Sequence, residues 1–302
     1  MQIGLCLPHF GRPLETGRLL QVAQRAETRG LDSLWVTDHV IVPRDVFIAY
    51  REEMLDPLAV LSWLAGVTER IALGTSVIIL PYRTPVPVAK LLASVDVLSG
   101  GRLIFGAGVG WMEGEFAALG VPFSERGSRT DEALELFLKV WTEREPEIDT
   151  KRHRLHGLVA SPMPLQRPRP AVWIGGASEG AYRRVARFGE GWHSTAATPE
   201  AFRQGADAVR RFWADAGRRG TPVLSLRIPF WLDEIHRPGS DMGYLRGRPA
   251  VHGTTRQVVE ALRGFAALGV SHVALDVSLT TYPAILETID VLAREVRPAL
   301  GG

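Results

Sequence analysis

The feature that most constrains this chain is an alternation of short apolar or β-branched runs with longer segments of helical period, repeated eight times. The runs lie at 3–7, 33–36, 72–78, 103–107, 171–174, 191–193, 224–228 and 272–275. Helix-compatible stretches follow at 14–29, 57–68, 87–98, 129–141, 179–188, 199–216, 255–268 and 282–296. Strands separated by helices pair in parallel through crossovers, and eight such units favour closure over an open sheet. The expected fold is α/β, a (β/α)8 barrel of the TIM type, read as one domain over 1–302.

Local punctuation agrees with that reading. Asp56-Pro57, Thr198-Pro199 and the segment from Thr254 to Gln257 suit helix starts, where a capping oxygen or an N1 proline answers unsatisfied amides. Gly30, Gly189 and Gly269 follow helix ends, where a left-handed residue is common. Two stretches break the repeat: 143–170, which holds Pro146, Pro162, Pro164, Pro168 and Pro170, and 233–253, rich in Gly, Pro and Arg. Insertions of this length serve as lids or as surface decoration; we expect both over the C-terminal mouth.

Composition narrows the partner. Lys and Arg total 35 against 33 Asp and Glu, a net charge of +2, and no basic run marks a nucleic-acid or anionic-membrane footprint. A small-molecule substrate is expected. Cys6 has no second cysteine to pair with and suits a small buried hydrophobe. The first residues lack a basic signal region, and no run of about 18 apolar residues occurs, so a cytoplasmic protein is expected.

In a barrel of this kind the reactive side chains sit at the C-terminal strand ends. His39, beside Asp38 after the second run, is the best acid–base candidate: imidazole titrates near neutrality, and an adjacent carboxylate is placed to orient the ring. The plain alternative is a loop anchor. Glycines 106, 108 and 110, around Val109, permit close backbone approach to a flat ligand, though a tight strand-to-loop bend explains them equally. The Gly175-Gly176-Ala177-Ser178 turn runs into a helix whose free amides and dipole suit a phosphate, or form a turn with no ligand. His9, Trp111, His193, Phe230 and Trp231 also fall at strand ends and are taken as substrate-pocket walls. Trp35 and Trp173, inside strand runs, are read as packing between barrel and helices.

Absent residues exclude other chemistries. Lysine occurs only at 90, 139 and 151, away from strand ends, which leaves a Schiff-base mechanism without its nucleophile. No His/Asp/Glu pattern suggests a metal site. A glycosidase would need Glu113 or Glu115 opposite Asp233 or Glu234. A non-catalytic binding barrel is the rival from outside enzymology.

The opening Ile3-Gly4-Leu5, the segments 30–39, 72–77, 98–102, 106–111 and 170–176, and Gly253-Thr254 together resemble the luciferase-like monooxygenase superfamily. Within it the chain is most similar to the oxidoreductases that use the deazaflavin coenzyme F420, from residue 1 to about 296. The resemblance implies F420 as cofactor, with FMN the alternative, and places Asp38 and His39 at the reactive face of the ring. It implies a non-prolyl cis peptide at Ser76-Val77 against the back of the ring, the 108–110 wall beside it, and the cofactor phosphate at 175–178. The implied activity is hydride transfer between F420 and a small organic substrate, with His39 as proton donor or acceptor; the alternative is an FMN-dependent monooxygenase. One departure stands out: the family's sugar-phosphate dehydrogenases carry an acidic residue where this chain has Trp111, which points to an apolar or extended substrate.

Assembly is also legible. The 57–67 helix has no charge and 86–98 has only Lys90 and Asp96, more apolar circumference than one buried face needs. A homodimer through these helices is expected, unless the 143–170 segment covers them.

Overall fold

Every barrel strand hydrogen-bonds to two parallel neighbours, so the sheet has no open edge among its eight principal strands. The computed structural model describes residues 1–10, 15–44, 53–235, 247–278 and 280–301. The strands are β1 (Gln2–Cys6), β2 (Ser33–Val36), β3 (Ala72–Thr75), β4 (Leu103–Gly108), β5 (Ala171–Gly175), β6 (Gly191–Thr195), β7 (Val223–Leu232) and β8 (His272–Asp276). Closure is made where Gln2 pairs with His272 and Gly4 with Ser33, on the two sides of β1. The helices are α1 (Thr16–Thr28), α2 (Pro57–Val67), α3 (Pro85–Leu98), α4 (Arg126–Thr142), α5 (Glu179–Phe188), α6 (Pro199–Asp215), α7 (Thr255–Ala267) and α8 (Tyr282–Val291). The fold is the expected (β/α)8 barrel. The beginning of the expected 14–29 helix and residues 236–246 of the second insertion lie outside the described residues.

Alternation along the strands divides the core in two. Leu5, Leu34, Leu73, Phe105, Val172, Leu226 and Val273 join the large apolar core shared with the helices. The intervening positions face the barrel axis, where Cys6, Trp35, Trp173 and Ala274 form a separate cluster. Trp35 and Trp173 therefore pack inside the barrel, not between barrel and helices as their strand positions suggested. Trp35 fits because Gly74 lies opposite: a Cβ there would meet its indole at 2.3 Å.

The helix starts follow their chemistry. The Asp56 carboxylate accepts from the Leu58 amide at 2.8 Å, Thr198 caps α6, and Thr254 forms a capping box with Gln257. Gly30 and Gly269 are left-handed, with φ of 76° and 99°, but Gly189 is extended with φ of −104°. Glycine serves at 189 for space, since a Cβ would stand 3.0 Å from the Val172 carbonyl.

Three differences from the sequence reading affect the site. The third run, expected as one strand to residue 78, ends at Thr75, and Ile78–Ile79 then pairs with β4; between them lies the cis Ser76–Val77 peptide that the family resemblance implied. β7 runs on to Leu232, so Phe230 and Trp231 lie within a strand that Val251–Gly253 flanks. The 143–170 insertion does not cover the mouth. It connects the end of α4 to the start of β5, a bottom-to-bottom link, and climbs the outer flank as a small hairpin (Ile148–Asp149 with Arg154–Leu155). There Glu132 of α4 takes the Thr150 hydroxyl and the Arg152 amide and guanidinium, which holds the hairpin to the helix.

Candidate functional site

A cleft of about 390 Å³ opens at the C-terminal strand ends, and one wall of it is the cis peptide segment. Thr37, Asp38 and His39 follow β2, Ser76 and Val77 interrupt the third strand, and 108–111 close β4. The 175–178 turn lies beyond, with Thr195, Arg227 and Arg248 completing the lining. Asp38, His39, Ser76, Val77, Gly108, Val109, Gly110, Trp111, Gly175, Gly176, Ala177 and Ser178 are thus brought together as expected from their strand ends.

The glycines work through Val77. A Cβ on Gly108 would lie 2.4 Å from Val77 Cγ2, one on Gly175 2.9 Å from Val77 Cγ1, and one on Gly106 1.9 Å from the Thr75 carbonyl oxygen. Three strand-end glycines therefore seat the Val77 side chain and its strand, which in turn forms part of the cleft wall. Gly110 has φ of 77° and faces Ile79 and Phe116.

At the far end the 176–178 backbone is exposed, Gly176 has φ of 109°, and its carbonyl accepts from the Trp192 indole at 2.7 Å. Ser178 is the N-cap of α5 and accepts from the Ala181 amide. The turn presents a helix N-terminus to the cleft, the arrangement that receives phosphate.

His39 is held by a residue that is not its neighbour in sequence. Its Nδ1 lies 2.8 Å from Oε2 of Glu115, and Glu115 Oε1 accepts from the amides of Val40 at 2.5 Å and Ile41 at 3.1 Å. Glu115 belongs to a short helix, Glu113–Ala118, and its side chain is fully buried. Burial works to raise this carboxyl, but the hydrogen bonds from His39 and the Val40 amide outweigh it and hold Glu115 below the usual carboxylate range. Trp111 stands edge-on to His39, with ring centres 6.2 Å apart, and is half exposed.

Asp38 turns the other way. It accepts from Arg83 at 2.6 Å and the Ile79 amide at 2.9 Å, and Arg83 also pairs with Asp56. Burial pushes the Asp38 carboxyl up against the opposing pull of Arg83. The expectation that Asp38 orients His39 is corrected: successive residues beyond a strand diverge, and Asp38 fastens the 79–83 segment instead.

Four expected pocket residues do not line the cleft. His9 is fully buried beneath it, its ring nitrogens on the carbonyls of Leu7 and Thr37. His193 faces the barrel axis, stacked on Trp35 at 4.9 Å and bonded to the hydroxyls of Ser76 and Ser225; burial lowers its pKa to about 3. Phe230 is in the large core, and Trp231 stacks on His252 at 4.4 Å. Of the carboxylates a glycosidase would need, Glu115 is bound to His39, Asp233 accepts from the Trp231 indole and Glu234 accepts from the Thr255 amide.

Sequence reasoning missed Arg227. From β7 it reaches Asp276 at 2.6 Å, the Thr37 hydroxyl at 2.8 Å and the Ser76 carbonyl, on the cis peptide itself, at 2.9 Å. Burial would raise Asp276, but Arg227 holds it below the usual range. The signal was present, because a lone arginine in the apolar run Leu224-Ser225-Leu226-Arg227-Ile228 must find a buried partner.

The sequence pattern of the family described as luciferase-like monooxygenase matches residues 1–234. An uncharacterized Mycobacterium tuberculosis protein is 30% identical over 229 residues, 71% of this chain and 80% of its own. The F420-dependent glucose-6-phosphate dehydrogenase of Kineococcus radiotolerans is 33% identical over 59% of this chain and 52% of its own, and the FMNH2-dependent dimethylsulfone monooxygenase of Pseudomonas putida 29% over 49% and 41%. Among solved structures, a monooxygenase from Streptomyces bottropensis superposes with a TM-score of 0.85 at 21% identity, covering 99% of both chains. An F420-dependent secondary alcohol dehydrogenase does so at 0.83 and 17%, covering 99% and 98%. With its closed barrel and a match over most of its length, the chain belongs to the luciferase-like monooxygenase family.

Proposed function

We propose that the protein is an oxidoreductase that moves hydride between coenzyme F420 and a small, largely apolar organic substrate. The observation that carries this reading is His39, which lines one cleft with the Val77 wall and the 175–178 turn. That combination fits a flat ring lying against Val77 with a phosphorylated tail at the turn, and the glycines around Val77 leave no room for a bulkier seat. When bound, the deazaflavin supplies or accepts the hydride. This chain's residues do the rest: Val77 and the 108–110 backbone bear the ring, the amides at 176–178 bind the phosphate, and His39 exchanges a proton with the substrate oxygen or nitrogen. Trp111 gives the substrate side an aromatic wall.

The F420-dependent relative supports this cofactor, whereas the FMNH2-dependent one supports an FMN monooxygenase on the same scaffold. Titration of the purified protein with each oxidised cofactor separates them. F420 is expected to bind at least tenfold more tightly; tight FMN binding without measurable F420 binding overturns the assignment. His39→Asn is expected to keep cofactor affinity and lose about 10²- to 10⁴-fold in turnover. Unchanged turnover of every accepted substrate would remove His39 from the chemistry.

A further inference from the structure

The contact between Glu115 and His39 fixes more than a loop. A carboxylate that takes two backbone amides on Oε1 acts as an acceptor, so the 2.8 Å contact on Oε2 requires the proton on His39 Nδ1. In a neutral imidazole the other nitrogen then carries the lone pair. We propose that Glu115 is a positioning residue that holds His39 by its Nδ1–H, and so fixes both the site of the imidazole proton and the orientation of the ring at the cleft.

The placement has three supports. Glu115 is fully buried, so water does not compete for its oxygens. It binds residues 39, 40 and 41 at once, so ring orientation and backbone are fixed together. The Trp111 ring also stands edge-on to His39, with ring centres 6.2 Å apart. The chemical consequence rests on the hydride-transfer reading. For an alcohol substrate, the carbinol C–H breaks and its hydride goes to oxidised F420, the hydroxyl proton goes to His39, and the O–H electron pair becomes the second carbon–oxygen bond of the carbonyl product. The resulting imidazolium remains bonded to the Glu115 carboxylate, and the reverse direction returns the proton.

The substitution Glu115→Gln is nearly isosteric but reverses the polarity of the contact. An amide oxygen can still accept from Val40 and Ile41, but the amide nitrogen then donates to Nδ1 and moves the imidazole proton to Nε2. Nitrogen NMR of histidine-labelled protein at a pH of about 9, where imidazole is ordinarily neutral, reads the tautomer directly; His39→Asn identifies the signals. The expected result is an Nδ1–H signature in the wild type and an Nε2–H signature in Glu115→Gln. An Nε2–H signature in the wild type overturns the proposal, and that measurement needs neither the variant nor turnover.

With a turnover assay, Glu115→Gln is expected to lose about 100-fold or more in kcat for alcohol oxidation, with KM and F420 affinity within about threefold. Wild-type kcat in this variant also overturns it. Failure of the wild type to oxidise or reduce anything with F420 would sink the hydride-transfer reading alone and leave the tautomer result standing.

Discussion

At the scale of single residues, the cleft rests on a buried polar layer that the sequence shows only in part. His39 was legible because barrel chemistry gathers at strand ends. Its partner Glu115 was not, because it arrives from a helix 76 residues later and no local spacing announces such a contact. The same holds beneath the cleft, where His193, Ser76, Thr37, Arg227 and Asp276, in or just beyond five different strands, bond to one another. His193 makes this layer acid-sensitive. Its pKa falls from 6.5 in the ordinary state to about 3 by burial, so between those values the unfolded chain binds a proton that the folded chain refuses. Stability from this residue is complete above pH 6.5 and is lost as pH falls towards 3, by up to about 1.4 kcal/mol per pH unit. Denaturant unfolding across this window is expected to show a shallower slope in His193→Gln; equal slopes would mean that His193 does not titrate on unfolding.

At the scale of elements, period and capping chemistry placed the strands and helices, whereas the interruption of the third strand came only from the family resemblance. The glycines at 106 and 108 looked like a path for a ligand and prove to be seats for Thr75 and Val77. Two substitutions with the same chemistry should therefore behave differently. Gly106→Ala puts a methyl 1.9 Å from a backbone carbonyl and is expected to cost about 3 kcal/mol or more, read as a lower unfolding midpoint. Gly108→Ala meets only the Val77 side chain, and displacing it is expected to cost less stability and weaken cofactor binding at least tenfold. Wild-type cofactor affinity in Gly108→Ala would show that Val77 does not bear the ring. The 143–170 segment was misplaced because length alone distinguishes an insertion, not the end of the barrel on which it sits. Its position after a helix and before a strand puts its two ends at the bottom.

At the scale of the whole molecule, that segment covers only part of the apolar flank. It shares with Val86, Ala89 and Ala93 of α3 the walls of a cleft of about 270 Å³, while Leu98 is 70% exposed and Leu158, Val159 and Leu165 are half exposed. We propose that a second copy of the chain covers this flank together with α2. Light scattering at micromolar concentration is expected to give twice the 33.2 kDa chain mass, and a monomer mass that persists as concentration rises would refute it. Among the described residues no helix is long and apolar enough to cross a membrane. The central claim is that the cleft runs hydride chemistry and not oxygen chemistry, and the difference is measurable in one vessel. Turnover with reduced F420 and a carbonyl substrate is expected to proceed at the same rate with and without oxygen, with one cofactor oxidised per product and no oxygen consumed. Product formation only in air with reduced FMN, at one oxygen per product, would contradict it.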